Sequence, residues 1–141
     1  MVIIEDDEFA AYLFRQVLTA HGYSVVVHSG KEEEWPTLLA LQPAALLVDL
    51  HLGEADGLEL LQQLRGVRSL RQVPAAVITG DYFTDARVSR RLERLGIEMH
   101  LKPLWDDELL RVVAGLVKRP PHTMPLFDDD DAPGPRASAH P

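Results

Sequence analysis

Cysteine is absent from all 141 residues, so neither a disulfide nor a thiolate metal site can contribute to the fold or its chemistry. Long apolar runs are missing as well. No stretch approaches the roughly 18–20 residues of a membrane span, and no helical span is expected. Positive charge is scarce: 14 Lys and Arg stand against 22 Asp and Glu, a net charge of −8. That balance argues against a general polyanion binder, because phosphate-backbone affinity needs a dense basic surface, and no nucleic-acid partner is expected. The chain runs from Met1 straight into an apolar segment, which leaves no room for a signal peptide and makes the cytoplasm the expected compartment. What is present is a hydrophobic content of 46%, enough for the single core that a chain of this length builds.

The apolar residues alternate between strand-like runs and segments of helical period, the pattern of an α/β fold with a parallel sheet and helices on both faces. Strands are expected at Val2–Glu5, Tyr23–Val27, Ala44–Leu50, Pro74–Thr79 and Ile97–Leu101. The first helix should run from about Asp7 to Ala20 with Phe9, Leu13, Val17 and Ala20 on its inner face, ended by His21-Gly22. Ser29-Gly30-Lys31-Glu32 could be a capping box, or the second helix could begin near Trp35 with Pro36 in its first turn. His51–Asp56 reads as a loop, with helices then at Leu58–Leu64, Thr84–Leu95 capped by Thr84, and Asp106–Lys118. Residues 119–141 are rich in proline and acid and lack periodicity, so a disordered tail is expected there.

Four chemical groups stand just beyond apolar runs: Glu5-Asp6 after "MVII", Asp49 after "ALLV", Thr79 after "AAVI" and Lys102-Pro103 after "MHL". In an open α/β sheet such positions gather at one edge, beyond the carboxyl ends of the strands. Carboxylates crowded together repel, and one of them takes up a proton unless a cation intervenes. Magnesium suits such a cluster, with Asp6 and Asp49 as ligands, Glu5 acting through a coordinated water and the backbone carbonyl of His51 as a further ligand. Asp49 could then act as a nucleophile toward a phosphoryl donor. Thr79 and Lys102 would neutralise the oxygens of the transferred group, and Gly80 would keep the entrance open.

Those motifs resemble the receiver domain of bacterial response regulators over about residues 1–118. "VIIEDDE" is similar to the acidic opening motif, "LLVDLHLGEADGLEL" to the phosphorylation strand and loop, "PAAVITG" to the switch-threonine strand and "HLKPL" to the lysine-proline motif. The resemblance implies a flavodoxin-like five-stranded parallel sheet in the order 2-1-3-4-5, flanked by five helices. It also implies that Asp49 accepts phosphate from a histidine of a partner kinase or phosphotransfer protein, that Glu5 and Asp6 serve magnesium, and that Thr79 and Lys102 bind the phosphoryl group. A domain of this kind switches a partner as a stand-alone regulator, a relay intermediate or the receiver of a longer hybrid kinase. It is not an enzyme in the ordinary sense, although it assists its own phosphorylation and dephosphorylation.

Two departures stand out. Gly53 occupies the place where the family usually carries proline, and the strand-five place of the family's Tyr or Phe falls on Met99, or on His100 if the strand is shifted by one. His51 and Asp81 follow Asp49 and Thr79 by two positions, where the family tunes phosphoryl lifetime. Arg87, Arg90, Arg91 and Arg94 form one stripe of the fourth helix, either a solvated face or a dimer face shared with strand five and helix five. His21 and His28 read as loop residues, and Trp35 and Trp105 as covers of core edges. Among other classes, an aspartate-nucleophile phosphatase resembling the haloacid dehalogenases would need an Asp-x-Asp motif after its first strand, where this chain has adjacent acids. A pseudo-receiver that binds without phosphorylation would not need so complete a site.

Overall fold

Buried residues with no polar break mark the centre of a parallel sheet: Val2–Ile4 (β1), Leu46–Asp49 (β3) and Ala75–Thr79 (β6) are buried at every position. The computed structural model describes residues 1–53, 55–80 and 85–118. Val26–His28 (β2) and Glu98–Leu101 (β7) complete the sheet at its two edges. The order is β2-β1-β3-β6-β7, all parallel. Counting only these five strands, it is the expected 2-1-3-4-5. The remaining strands, His51–Leu52 (β4) and Ala55–Asp56 (β5), form a small antiparallel hairpin where the sequence reads as a loop. Two-residue strands carry too little pattern to be read in advance.

Alternation along each strand divides the core into two layers. Ile4, Val48 and Val77 meet Leu38 of α2 (Trp35–Leu41), Leu61 and Leu64 of α3 (Gly57–Gly66), and Leu92 of α4 (Ala86–Arg94). Ile3, Leu47 and Ile78 meet Leu18 of α1 (Glu8–Ala20) and Leu109, Val113 and Leu116 of α5 (Asp106–Lys118).

Several local expectations need correction. The inner face of α1 is Ala11, Phe14, Val17 and Leu18, whereas Phe9 and Leu13 lie outward and are 70% and 44% exposed. Two apolar stripes run along this helix, and the sheet covers only one. Pairing in β2 begins at Val26, although Val25 is already buried, because apolar burial starts before the ladder does. The second helix begins at Trp35 with Pro36 in its first turn, preceded by a 3₁₀ turn at Glu32–Glu34. Asp85 caps α4, its carboxylate accepting from the Arg87 N–H; Thr84 lies outside the described residues, as do Asp81 and the segment 119–141.

Trp35 does cover a core edge, but Trp105 is 66% exposed because Leu104 takes the inward place beside it. His28 is no loop residue: it ends β2, is buried, and holds Nδ1 3.1 Å from the Glu34 carboxylate. His21 is an ordinary helix end, donating from Nδ1 to the Val17 carbonyl. Arg65 is buried without a carboxylate partner among the described residues. Its Nη1 donates to the carbonyls of Leu70 and Val73, tying the segment before β6 to α3, and burial lowers its pKa to about 10.

Candidate functional site

The strand-end residues meet because β1, β3, β6 and β7 are parallel and finish at the same edge. Glu5 follows β1, Asp49 ends β3 and Thr79 ends β6 beside Ile78, which pairs with Asp49. Lys102 follows β7, and its N–H donates to the Thr79 carbonyl at 2.8 Å. The Lys102 ammonium donates to Glu5 Oε1 and to Asp49 Oδ2, each at 3.0 Å. The other Asp49 oxygen, Oδ1, accepts from the His51 N–H at 2.9 Å. Asp6 completes a trio with Glu5 and Asp49 whose ligand oxygens all lie within 4.8 Å of one another. Thr79 is fully buried beside them.

The trio is electrostatically unequal. Burial pushes the Glu5 carboxyl up to about 8; the adjacent Asp49 adds to this and the Lys102 ammonium opposes it. Burial would also raise Asp49, but hydrogen bonds from Glu5, the His51 N–H and the Lys102 ammonium outweigh it and hold Asp49 low. Lys102 is raised, since its two carboxylate partners outweigh desolvation. Without a cation, Glu5 therefore keeps a proton that it shares toward Asp49. A hard, oxygen-seeking divalent cation such as magnesium fits this donor set, because it replaces that proton with positive charge among oxygens.

A pH dependence follows. Folded Glu5 holds its proton up to about pH 8, while the unfolded chain releases it near 4.5, so the folded state binds more protons between these limits. Stability without divalent ions should therefore fall as pH rises from 4.5 toward 8, by at most ~1.4 kcal/mol per pH unit for one proton. Glu5→Gln should flatten that slope. Thermal melts in chelator across this range check it, and a wild-type slope that Glu5→Gln leaves unchanged contradicts the assignment.

The glycines near the site differ in meaning. Among the described residues, a β-carbon at Gly80 would meet nothing within 4 Å. A β-carbon at Gly57 would lie 2.2 Å from the Asp49 carbonyl, a close approach that the sequence alone does not announce. Met99 packs against the core layer that includes Val88 and Leu92 of α4, whereas His100 lines a groove of about 440 Å³ with Glu98, Leu104, Glu108 and Arg111. The α4 arginines are exposed, with Asp85 bonded to Arg87 and Gln62 of α3 reaching Arg91. Among the described residues, no helix is long and apolar enough to cross a membrane.

Known proteins resemble this chain over most of its length. The response regulator receiver domain family matches residues 1–114. The polar-differentiation response regulator DivK of Brucella ovis is 29% identical over 114 residues, covering 80% of this chain and 91% of DivK. The sensory/regulatory protein RpfC of Xanthomonas campestris is 29% identical over 119 residues, 82% of this chain but only 16% of RpfC. The chain thus spans a small part of one curated relative and nearly all of another. A putative response regulator from Chloroflexus aurantiacus superposes with a TM-score of 0.73 at 25% identity, covering 84% of this chain and 96% of that one.

Proposed function

The chain belongs to the response regulator receiver domain family, and we propose that it takes a phosphoryl group from a partner's phosphohistidine onto Asp49 and switches conformation to control a partner. The observation that carries this reading is the state of Asp49: a carboxylate held ionised at a strand end, one oxygen on the His51 N–H and the other on the Lys102 ammonium.

An Asp49 oxygen attacks phosphorus, the bond from phosphorus to the imidazole nitrogen breaks with its electron pair going to that nitrogen, and the ring, already protonated on its other nitrogen, leaves as neutral imidazole. Asp6 and Asp49, with Glu5 through a water and the His51 carbonyl, are the residues that would hold magnesium, whose positive charge offsets the phosphoryl oxygens. Lys102 exchanges its bond to Asp49 for one to a phosphoryl oxygen, and the Thr79 hydroxyl takes another. That exchange favours one of two pre-existing conformations.

The donor is a histidine kinase or a histidine phosphotransfer protein in the cytoplasm. An uncovered apolar stripe on α1, with Phe9, Tyr12 and Leu13 exposed, begins just after Asp6, and exposed Trp105 follows Lys102. Such a surface beside the acceptor suits docking of a donor protein. The β7–α5 groove and the arginines of α4 suit output to a partner or a second copy of the chain. Met99 lacks the ring that would signal by swinging inward, so loop and α4 movement would carry the signal.

Incubation with acetyl phosphate and magnesium should add one hydroxylamine-labile phosphoryl group, read by intact mass and absent in Asp49→Asn. No adduct from acetyl phosphate or from a phosphohistidine protein would leave a receiver that acts by binding alone.

A further inference from the structure

We propose that Gly53, at the tip of the β4–β5 hairpin, positions Asp6 and thereby sets both the strength and the selectivity of cation binding. This rests on reading Glu5, Asp6 and Asp49 as the magnesium site. Leu52 pairs with Ala55, so Gly53 directly follows the last paired residue of β4, a place in a tight hairpin that favours positive φ. Gly53 has φ +59, a conformation closed to the family's proline, whose φ is fixed near −65°, and on this backbone a β-carbon would stand 3.1 Å from Asp6 Oδ2, the one contact within 4 Å among the described residues beyond its chain neighbours. The first thing a side chain at position 53 meets is therefore a metal-binding oxygen.

Asp6 is the member of the trio most sensitive to that contact. Glu5 and Asp49 are tied to Lys102, whereas among the described residues no hydrogen bond fixes the Asp6 carboxylate, which is exposed. Its direction is limited by the bare backbone of Gly53. The hairpin cannot easily move aside to relieve a clash. Leu52 is buried, the His51 N–H holds Asp49, and the Gly57 N–H donates to the Leu50 carbonyl at 2.8 Å. A side chain at 53 therefore displaces Asp6 by tenths of an ångström. Magnesium demands short, near-octahedral oxygen contacts, while calcium accepts longer and more variable ones, so the displacement should penalise magnesium more.

The test is isothermal titration of the full chain with MgCl₂ and with CaCl₂, for wild type, Gly53→Ala and Gly53→Asn. Asparagine tolerates positive φ yet carries the same β-carbon, which separates contact from backbone strain. Both variants should bind magnesium about tenfold more weakly than wild type and calcium less than about threefold more weakly, with thermal midpoints confirming that they fold. Loss in the alanine variant alone overturns the proposal in favour of strain. A wild type that binds magnesium, with both variants unchanged, also overturns it and leaves the metal reading intact. A wild type that takes up no magnesium overturns the metal reading and this proposal together.

Discussion

The Gly57→Ala protein is expected to be about 3 kcal/mol less stable than wild type and to melt more than about 10 °C lower. The added carbon would lie 2.2 Å from the Asp49 carbonyl oxygen and 2.8 Å from both the Cα and the carbonyl oxygen of Leu50. All three are backbone atoms at or just past the end of the central strand β3, so no side-chain rotation relieves the contact. Relief requires α3 to back away, which breaks the Gly57 N–H bond to Leu50 and loosens Leu60, Leu61 and Leu64 in the core. Gly115→Ala is the control. It lies in α5 with nothing among the described residues within 4 Å of a β-carbon outside the helix's own backbone, so it should stabilise by roughly 0.5–1 kcal/mol through helix propensity. Chemical denaturation of both variants checks the pair. Equal effects would mean that the Asp49–Gly57 approach is looser than described.

Removal of Lys102 should have the next largest effect. The ammonium stands 3.0 Å from both Glu5 and Asp49, and both carboxylates are almost fully buried. Lys102→Met keeps the length of the side chain and deletes the charge. Breaking a buried ion pair costs several kcal/mol; since this lysine remains 27% exposed, a loss of about 2 kcal/mol at neutral pH in chelator is expected. The ammonium and a divalent cation would neutralise the same oxygens, so magnesium should stabilise the variant more than wild type. Melts with chelator and with saturating magnesium measure the difference. Equal magnesium increments in the two proteins would show that lysine and metal do not share the carboxylates.

Much of this site was legible in the sequence because its chemistry rides on strand ends. Glu5, Asp49, Thr79 and Lys102 each follow an apolar run, and a parallel sheet brings such ends to one edge whatever the details of the helices. The helix boundary that could be read had a strong signal, the acidic first turn at Asp106, whereas at α2 a capping box at Ser29 and a start near Trp35 both stood open. The failures have physical causes. Both stripes of α1 are apolar, so periodicity could not say that Ala11 and Leu18, rather than Phe9 and Leu13, face the core. Trp105 looked like core by composition, but Leu104 fills the inward place. The β4–β5 hairpin is too short for any period to register. The roles of Gly53 and Gly57 depend on what lies across the turn, and no local pattern encodes that.

The central claim, that Asp49 carries the phosphoryl group, is tested most directly by trapping it. Protein phosphorylated with acetyl phosphate and magnesium is treated with borohydride, which reduces an acyl phosphate to the alcohol, and the digest is sequenced by mass spectrometry. The account predicts homoserine at position 49 and at no other acidic residue, with none in unphosphorylated protein. Homoserine at Asp6's position, or 5-hydroxynorvaline at Glu5's, would be distinguishable by sequence and would contradict the account, as would phosphorylated protein with position 49 still aspartate.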